Sequence, residues 1–339
     1  MEDGKNFSNV DLSCLFSPSF NIVSVTIHVI VSTATIFGNI LILISIYKYP
    51  VQFKGSLYMF IGNLAVADLL LGVWLLLFIY EGIVPEVQNN WYFCVAKPVG
   101  VVTSYCCSIF SLLGISFDRF MAIIFPLEHL VKTHKRKLFI ISITAMWIIS
   151  ITSGTLPVIL PNLEPHGNTF VCRMGAILPQ DFQLVSSIVL LLIVFINFAL
   201  YGIVMWKIKI KRTPGNSCGR KKSSKTVLMI IVFLLFVVCW LPFITCSILM
   251  HFSLEPSTFQ NVICAREYLA KLGYINSALN CVIYGLANKK FRSAFKKILF
   301  FKRCPTFSKP LSFLSERGRT NSMCNEMKCS VNQKQDAVE

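Results

Sequence analysis

Seven long apolar runs divide this chain of 339 residues and limit what it can fold into. They cover residues 22–47, 57–80, 96–125, 138–160, 182–206, 227–252 and 263–286. An apolar run of about 20 residues is long enough to cross a hydrocarbon core as a helix. Because lipid offers no hydrogen-bond partner to the backbone, each run is expected to be helical. The runs are too long for barrel strands and do not alternate. The predicted fold class is therefore all-α, with a seven-transmembrane helix bundle at residues 22–287.

The composition agrees with a membrane protein. The chain is 55% hydrophobic and only 14% charged, whereas soluble domains carry about 25% charged residues. The net charge of +16 could indicate a nucleic-acid partner. However, Lys and Arg lie between the apolar runs and in the tail, as in a membrane protein with basic cytoplasmic loops. We expect membrane lipid, and no nucleic acid, among the partners.

The orientation follows from the loops. The loops after the first, third and fifth runs are basic, whereas the other loops carry mainly acidic residues. The basic set is Lys48, Lys54, Lys132, Lys135, Arg136, Lys137, Lys207, Lys209, Lys211, Arg212, Arg220, Lys221, Lys222 and Lys225. Positively charged loops stay in the cytoplasm. We therefore expect a multi-pass plasma-membrane protein with residues 1–21 outside and no cleaved signal peptide.

A short amphipathic segment follows the seventh run. Residues 288–303 alternate aromatic or aliphatic side chains with basic ones, which is typical of a helix lying on the inner leaflet. Cys304 comes next and is either a palmitoylation site or a free cytosolic thiol. Residues 304–339 are rich in Ser and Lys and are expected to be a disordered cytoplasmic tail.

Four cysteines fall in the predicted extracellular regions. Cys94 begins the third run, and Cys172 lies between the fourth and fifth. The outside is oxidising, so a bridge between them is favoured. A second bridge between Cys14 and Cys264 is left open. Asn6 starts an Asn-Phe-Ser glycosylation sequon.

Several polar residues fall inside the apolar runs, where they are costly and usually functional. Asp68 is the carboxylate nearest to the middle of a run. An ionised carboxylate at that depth needs a cation or a proton. Two interpretations remain, an ion site and a neutral Asp in a hydrogen-bond network.

Two further motifs suggest a switch. Asp118 and Arg119 at the inner end of the third run can pair at rest and separate on activation, although interfacial snorkelling of Arg119 is the simpler alternative. Pro242 lies inside the sixth run, where proline kinks a helix. Trp240 is the large side chain beside that kink through which a ligand could push, and Phe236 lies one turn deeper.

Taken together, these motifs resemble those of the rhodopsin-like (class A) G-protein-coupled receptors over residues 22–304. The matching segments are Gly38-Asn39, Asn63–Asp68, Trp91–Cys94, Asp118-Arg119-Phe120, Trp147, Cys239–Pro242 and Asn280–Tyr284. The resemblance implies coupling to a heterotrimeric G protein, with arrestin and receptor kinases as further partners. It implies no enzymatic activity and no cofactor except an allosteric sodium ion. The predicted sodium ligands are Asp68, Ser108, Asn276 and Asn280. Arg119 is expected to meet the G protein, and Tyr201 and Tyr284 to stabilise the active form.

The chain departs from the family pattern in four places. Cys281 replaces a proline, Phe120 replaces a tyrosine, and Ile193 stands where most members have a proline. Lys222 occupies a position that is usually acidic, so the wider resting salt bridge to Arg119 is in doubt. These departures allow high basal signalling. The lack of a helix-five proline resembles the branch with melanocortin, lysophospholipid and cannabinoid receptors, and the seventh run also resembles adenosine receptors.

The ligand is less constrained. Val101 stands where amine receptors have an Asp, Ser247 and Tyr274 stand where adenosine receptors have Asn and His, and Tyr274 also excludes a retinal lysine. Lys97 occupies the position of a phosphate-binding Arg in lysophospholipid receptors, and Arg266 could join it. Such a cationic pair suits an anionic lipid. A peptide ligand and constitutive signalling without an agonist remain open alternatives.

The cationic residues and the chain as a whole also allow other interpretations. Lys97 and Arg266 could instead pair with Glu81 or Glu267, or extend to lipid headgroups. A transporter would show repeated halves and broken helices, which the sequence lacks. A channel filter and a catalytic constellation are not recognisable either.

Overall fold

A computed structural model describes residues 18–126, 135–159, 172, 177–210, 217–252 and 255–300. Eight α-helices occupy these residues, and none of the described residues is in a β-strand. The helices are α1 (Pro18–Lys48), α2 (Ser56–Ile83), α3 (Trp91–Ile124), α4 (Lys135–Ile159), α5 (Gln180–Ile210), α6 (Ser217–Leu249), α7 (Pro256–Ala287) and α8 (Lys289–Leu299). A 3₁₀ helix at Pro85–Asn89 joins α2 to α3. The predicted all-α bundle with a short eighth helix is confirmed.

The helices pack in a ring in which α3 lies centrally. It contacts α2, α4, α5 and α6, while α7 closes the ring between α6 and α1. We call the end that carries the first residues of α1 the outer end, and the opposite end the inner end. Large apolar side chains of α4 and α5 are exposed, including Ile141, Leu192 and Phe195. Such faces suit contact with lipid rather than water.

Six of the described helices, α1 to α6, contain segments long and apolar enough to cross a membrane. The helix α7 is the exception, because its outer half carries Arg266, Glu267 and Lys271. Arg266 and Lys271 are nevertheless buried against neighbouring helices. Neighbouring helices, and not an apolar composition, thus separate the charged residues of the seventh helix from lipid.

The sequence departures at Ile193 and Cys281 have a simple structural outcome. Helices α5 and α7 each continue through these positions without interruption. Cys281 packs against Gly38 of α1, where a Cβ atom would come within 2.7 Å of the Cys281 Cβ. Gly38 therefore allows α1 and α7 to approach closely, in the way that small residues do in membrane bundles.

The helix α8 turns away from the bundle after Asn288, whose side chain accepts a hydrogen bond from the Lys290 backbone N–H at 3.0 Å. Its buried face holds Phe291, whose ring lies 4.5 Å from Phe53 and 5.4 Å from Tyr284. These contacts anchor the amphipathic helix to the inner end of α7. Asn6, Cys14, Cys304 and the predicted tail lie outside the described residues, as does the side chain of Lys222.

Candidate functional site

A cavity of about 360 Å³ occupies the outer half of the bundle. Side chains from each of the helices α1 to α7 line it, together with Cys172. The lining is mostly apolar, with a few polar groups, which is the usual character of a small-molecule site. All five predicted ligand residues line it: Lys97, Val101, Ser247, Arg266 and Tyr274.

Trp240 forms part of this lining and connects three helices. Its ring lies 4.6 Å from Tyr105 of α3 and 6.3 Å from Tyr274 of α7. Phe236 follows it toward the inner end at 6.3 Å. Pro242 interrupts the backbone hydrogen bonding of α6 just above. The predicted group of Phe236, Trp240 and Pro242 is thus brought together beneath the cavity.

Gly273 completes this arrangement and was not identified from the sequence. A Cβ atom at Gly273 would come within 2.9 Å of three atoms of the Trp240 ring. The indole therefore rests directly on the backbone of α7. The only sequence signal was a glycine inside the seventh apolar run, where glycine weakens a helix unless packing requires it.

Lys97, which was considered both as a phosphate-binding cation and as the partner of an acid, is paired in this structure. Lys97 Nζ forms a salt bridge of 2.6 Å with Glu81 Oε2 of α2. It also lies 3.3 Å from Cys172 Sγ and within 5.4 Å of the Phe78 and Phe93 ring centroids. A buried ammonium requires a counter-charge, and Glu81 supplies it. For Lys97, the paired alternative is the one observed.

Arg266 is bound differently. Its Nε donates to Ser247 Oγ at 3.0 Å, and its Nη2 donates to Gln183 Oε1 at 2.5 Å. Its guanidinium carbon lies 5.1 Å from the Phe243 ring centroid. In the described part of the chain no carboxylate forms a salt bridge with it, so the proposed pairing with Glu267 is not found. Arg266 is only 6% exposed.

Below the cavity, Asp68 is fully buried and accepts three hydrogen bonds. The donors are Ser108 Oγ at 3.1 Å, Ser277 Oγ at 2.8 Å and Asn280 Nδ2 at 2.6 Å. These donors offset the cost of burying a carboxylate. The sequence prediction placed Asn276 in this group, but no hydrogen bond joins Asn276 to Asp68 among the described residues. Ser277, the next residue of α7, takes that place.

The donor set fits a small hard cation. A carboxylate, hydroxyl oxygens and amide oxygens are suitable ligands for such ions. Asn280 Oδ1 is buried and accepts no hydrogen bond from the described residues, so it keeps a free lone pair beside the carboxylate. Asp68, Ser108, Ser277 and Asn280 are therefore the residues that would hold an ion here.

At the inner end, Arg119 Nη2 and Nε both donate to Asp118 Oδ2, the latter at 3.0 Å. The other oxygen of Asp118 accepts a hydrogen bond from Ser56 at the start of α2. Asp118 is thereby fixed by two helices and holds the guanidinium beside it. The closed pair that we predicted for a resting state is the arrangement observed.

Two tyrosines, Tyr201 and Tyr284, were expected to stabilise an active form. Among the described residues, neither is hydrogen-bonded to Arg119. Tyr201 of α5 is buried, with its ring 5.6 Å from Phe233 of α6. Tyr284 is 1% exposed, and its hydroxyl has no hydrogen-bond partner among the described residues. A buried hydroxyl without a partner is unusual. It suits a group that forms its hydrogen bond in another conformation.

A disulfide joins Cys94 at the start of α3 to Cys172, with the two Cα atoms 5.3 Å apart. The predicted bridge is present, and it holds Cys172 against the cavity beside Lys97. Cys264 is also disulfide-bonded, whereas its proposed partner Cys14 lies outside the described residues. Cys106, Cys107, Cys239, Cys246 and Cys281 are free.

Comparison with known proteins decides the family. The model of the 7 transmembrane receptor (rhodopsin family) matches residues 38–284, which is most of the chain. This chain belongs to the rhodopsin family of seven-transmembrane receptors. It is therefore a multi-pass membrane receptor of the G-protein-coupled class, as the motifs predicted.

Similar receptors come from several animals. The chain is 27% identical to the melatonin receptor type 1A of Mus musculus, over 78% of this chain and 76% of that protein. It is 28% identical to the sphingosine 1-phosphate receptor 1 of Danio rerio, over 84% and 81%. It is 25% identical to a QRFP-like peptide receptor of Branchiostoma floridae, over 84% and 79%. The names span several ligand types, so the ligand of this receptor must be sought in its own cavity.

Breaking the observed bridge tests its role in the receptor. Changing Cys94 to Ser should sharply reduce surface display, because removing a native disulfide commonly costs about 2–5 kcal/mol. Surface labelling of intact cells, normalised to total protein, measures this. Cys246→Ser serves as the control, since Cys246 is a free cysteine of α6. Equal display of both variants would contradict a structural role.

Proposed function

We propose that an extracellular ligand enters the outer cavity and displaces Trp240, and that α6 then pivots about Pro242 and uncovers Arg119 to a heterotrimeric G protein. The observation that carries this proposal is the continuous contact from the cavity through Trp240 to Phe236. Pro242 removes a backbone hydrogen bond from α6 at that level, so α6 can bend there. The outer face is extracellular, residues 1–21 lie outside, and the receptor resides in the plasma membrane.

The ligand in this proposal is an amphiphile of lipid type. The mostly apolar lining supports it, since apolar walls with few polar groups favour such ligands. The relative named for sphingosine 1-phosphate points the same way. Signalling without an agonist is the alternative within the same mechanism, and the Tyr284 hydroxyl without a partner favours ready movement of α7. Arrestin and receptor kinases act on the cytoplasmic tail.

The residues of the Asp68 cluster would hold a sodium ion in the resting receptor, and the bound ion would oppose this movement. Asp68 belongs to α2, Ser108 to α3, and both Ser277 and Asn280 to α7. When an ion is bound, it supplies the positive charge that a buried carboxylate lacks. The four side chains then hold three helices together, and this opposes the rearrangement of α7.

The Arg119 step is tested by mutation. Arg119→Ala should lower the affinity of the receptor for a nucleotide-free G protein by about tenfold or more, because the guanidinium, once uncovered, makes charge-assisted contacts. Guanine-nucleotide exchange and cAMP in cells report the same loss. Arg292→Ala, which removes an exposed guanidinium from α8, is the matched control. Wild-type coupling by the Arg119 variant would argue against the proposed switch.

The ion site is tested separately. Replacing potassium with sodium at constant ionic strength should raise the unfolding temperature of the ligand-free receptor, since a ligand of the native state stabilises it. The Asp68→Asn variant should lose this sodium effect. Asp181→Asn removes an exposed carboxylate at the start of α5 and should retain it. Equal sodium effects in all three proteins would eliminate the ion from the mechanism.

A further inference from the structure

The cavity contains three buried cations, Lys97, Arg266 and Lys271, and the first two are in different electrostatic settings. Lys97 is neutralised by Glu81 at 2.6 Å. Arg266 has two hydrogen bonds, both to neutral side chains, Ser247 and Gln183. A guanidinium has five N–H groups. Since two are used, three N–H groups of Arg266 remain without an acceptor in the described part of the chain.

A buried charge without a counter-ion is strongly unfavourable. Neutral hydroxyl and amide acceptors orient the guanidinium but do not cancel its charge. Gln183 is itself fixed, because its Nε2 donates to Leu178 O at 2.7 Å. Ser247 is fixed by donating to Phe243 O at 2.9 Å. Ser247 and Gln183 therefore hold the Arg266 guanidinium in place without neutralising its positive charge.

The charge of Arg266 indicates the valence of the anion that it would bind. The described lining residues include three cations, Lys97, Arg266 and Lys271, and two anions, Glu81 and Glu267. Lys271 is held at 4.6 Å from the Phe20 ring centroid and donates to the Glu267 backbone oxygen at 3.0 Å. Arg266 carries one positive charge and forms no salt bridge with a carboxylate in the described part of the chain. A monoanion neutralises that charge, whereas a phosphate monoester dianion would bring a second negative charge.

The guanidinium can form two parallel N–H···O bonds with a carboxylate or with a phosphate. The single charge of Arg266 therefore decides between them, and it favours a carboxylate over a phosphate monoester. Beyond Arg266 the surface becomes aromatic, because its guanidinium lies over Phe243 and Phe243 lies 5.7 Å from Trp240. A molecule whose acid group binds Arg266 would place its apolar part along Phe243 toward Trp240.

We propose that the cavity binds an amphiphile with a single carboxylate, which pairs with Arg266 while the apolar body packs on Phe243 and Trp240. This proposal rests on the proposed function for its signalling consequence, but binding alone can be tested without it. Arg266, and not Lys97, is the residue that recognises the acid. The Lys97–Glu81 pair forms another part of the cavity lining.

The experiment measures ligand-induced shifts in the unfolding temperature of the full-length receptor in lipid nanodiscs. The probes are dodecanoic acid, its methyl ester, dodecyl phosphate and naphthoic acid. We expect dodecanoic acid to stabilise the wild type and the ester to do so only weakly. Dodecyl phosphate should bind less tightly than the acid. Stabilisation by naphthoic acid alone would support the carboxylate and assign an aromatic body.

Variants then locate the acid group. Arg266→Gln should weaken binding of the stabilising acid by about tenfold or more, as expected for a charge-assisted hydrogen bond. Arg266→Lys keeps the charge without the fork and should fall between Gln and wild type. Arg292→Gln on α8 is the matched control and should behave as the wild type. The unfolding temperature without ligand shows whether each variant is folded.

Three results would overturn the proposal: equal stabilisation by acid and ester, unchanged affinity in Arg266→Gln, or no stabilisation by any acid. Tighter binding of dodecyl phosphate than of dodecanoic acid would also overturn it, in favour of a dianionic lipid. Failure of the proposed function is distinguishable, because guanine-nucleotide exchange would then be insensitive to Arg119→Ala even where the acid binds.

Discussion

A hydrocarbon bilayer cannot hydrogen-bond to peptide groups, and every other property of this receptor depends on that constraint. It makes each spanning segment a helix, since a helix satisfies its own backbone. It also makes polar side chains expensive unless protein surrounds them. Several polar residues of the bundle therefore form clusters with one another. Asp68, Arg119 and Arg266 each belong to one such cluster.

These three clusters lie along one route through the bundle. Arg266 and Phe243 bring the outer cavity to Trp240, whose ring rests on Gly273 of α7. The Asp68 cluster bonds α2 and α3 to the same helix farther inward. A shift of α6 and α7 would therefore change the contacts of Trp240 and the hydrogen bonds of the Asp68 cluster. The closed Asp118–Arg119 pair is the inner limit of that route.

The helices could be predicted from run length because lipid burial imposes it locally. The start of α7 was less predictable: its apolar run begins at residue 263, but the helix begins at Pro256. Charged side chains in its outer half lower the hydropathy of this span. They are tolerated because neighbouring helices surround them. The apolar run at residues 263–286 therefore predicted the seventh span but not its outer end.

Most residues of the site were predicted from the sequence, but the hydrogen bonds and ion pairs between them were not. Both Asn276 and Ser277 lie about one turn before Asn280, so sequence spacing could not decide which one reaches Asp68. The bond from Arg266 to Gln183 joins positions far apart in the chain. No local pattern encodes it. Glu81 was one of two acids considered for Lys97, and only the packing of α2 against α3 selects it.

The central claim is that α6 moves away from α3 at the inner end when the receptor couples to its G protein. Spin labels at Phe125 and Val227, both partly exposed near that end, report the separation by electron–electron distance measurement. The account predicts a longer distance in the complex with nucleotide-free G protein than in the receptor alone. An identical distance distribution in both states would contradict it.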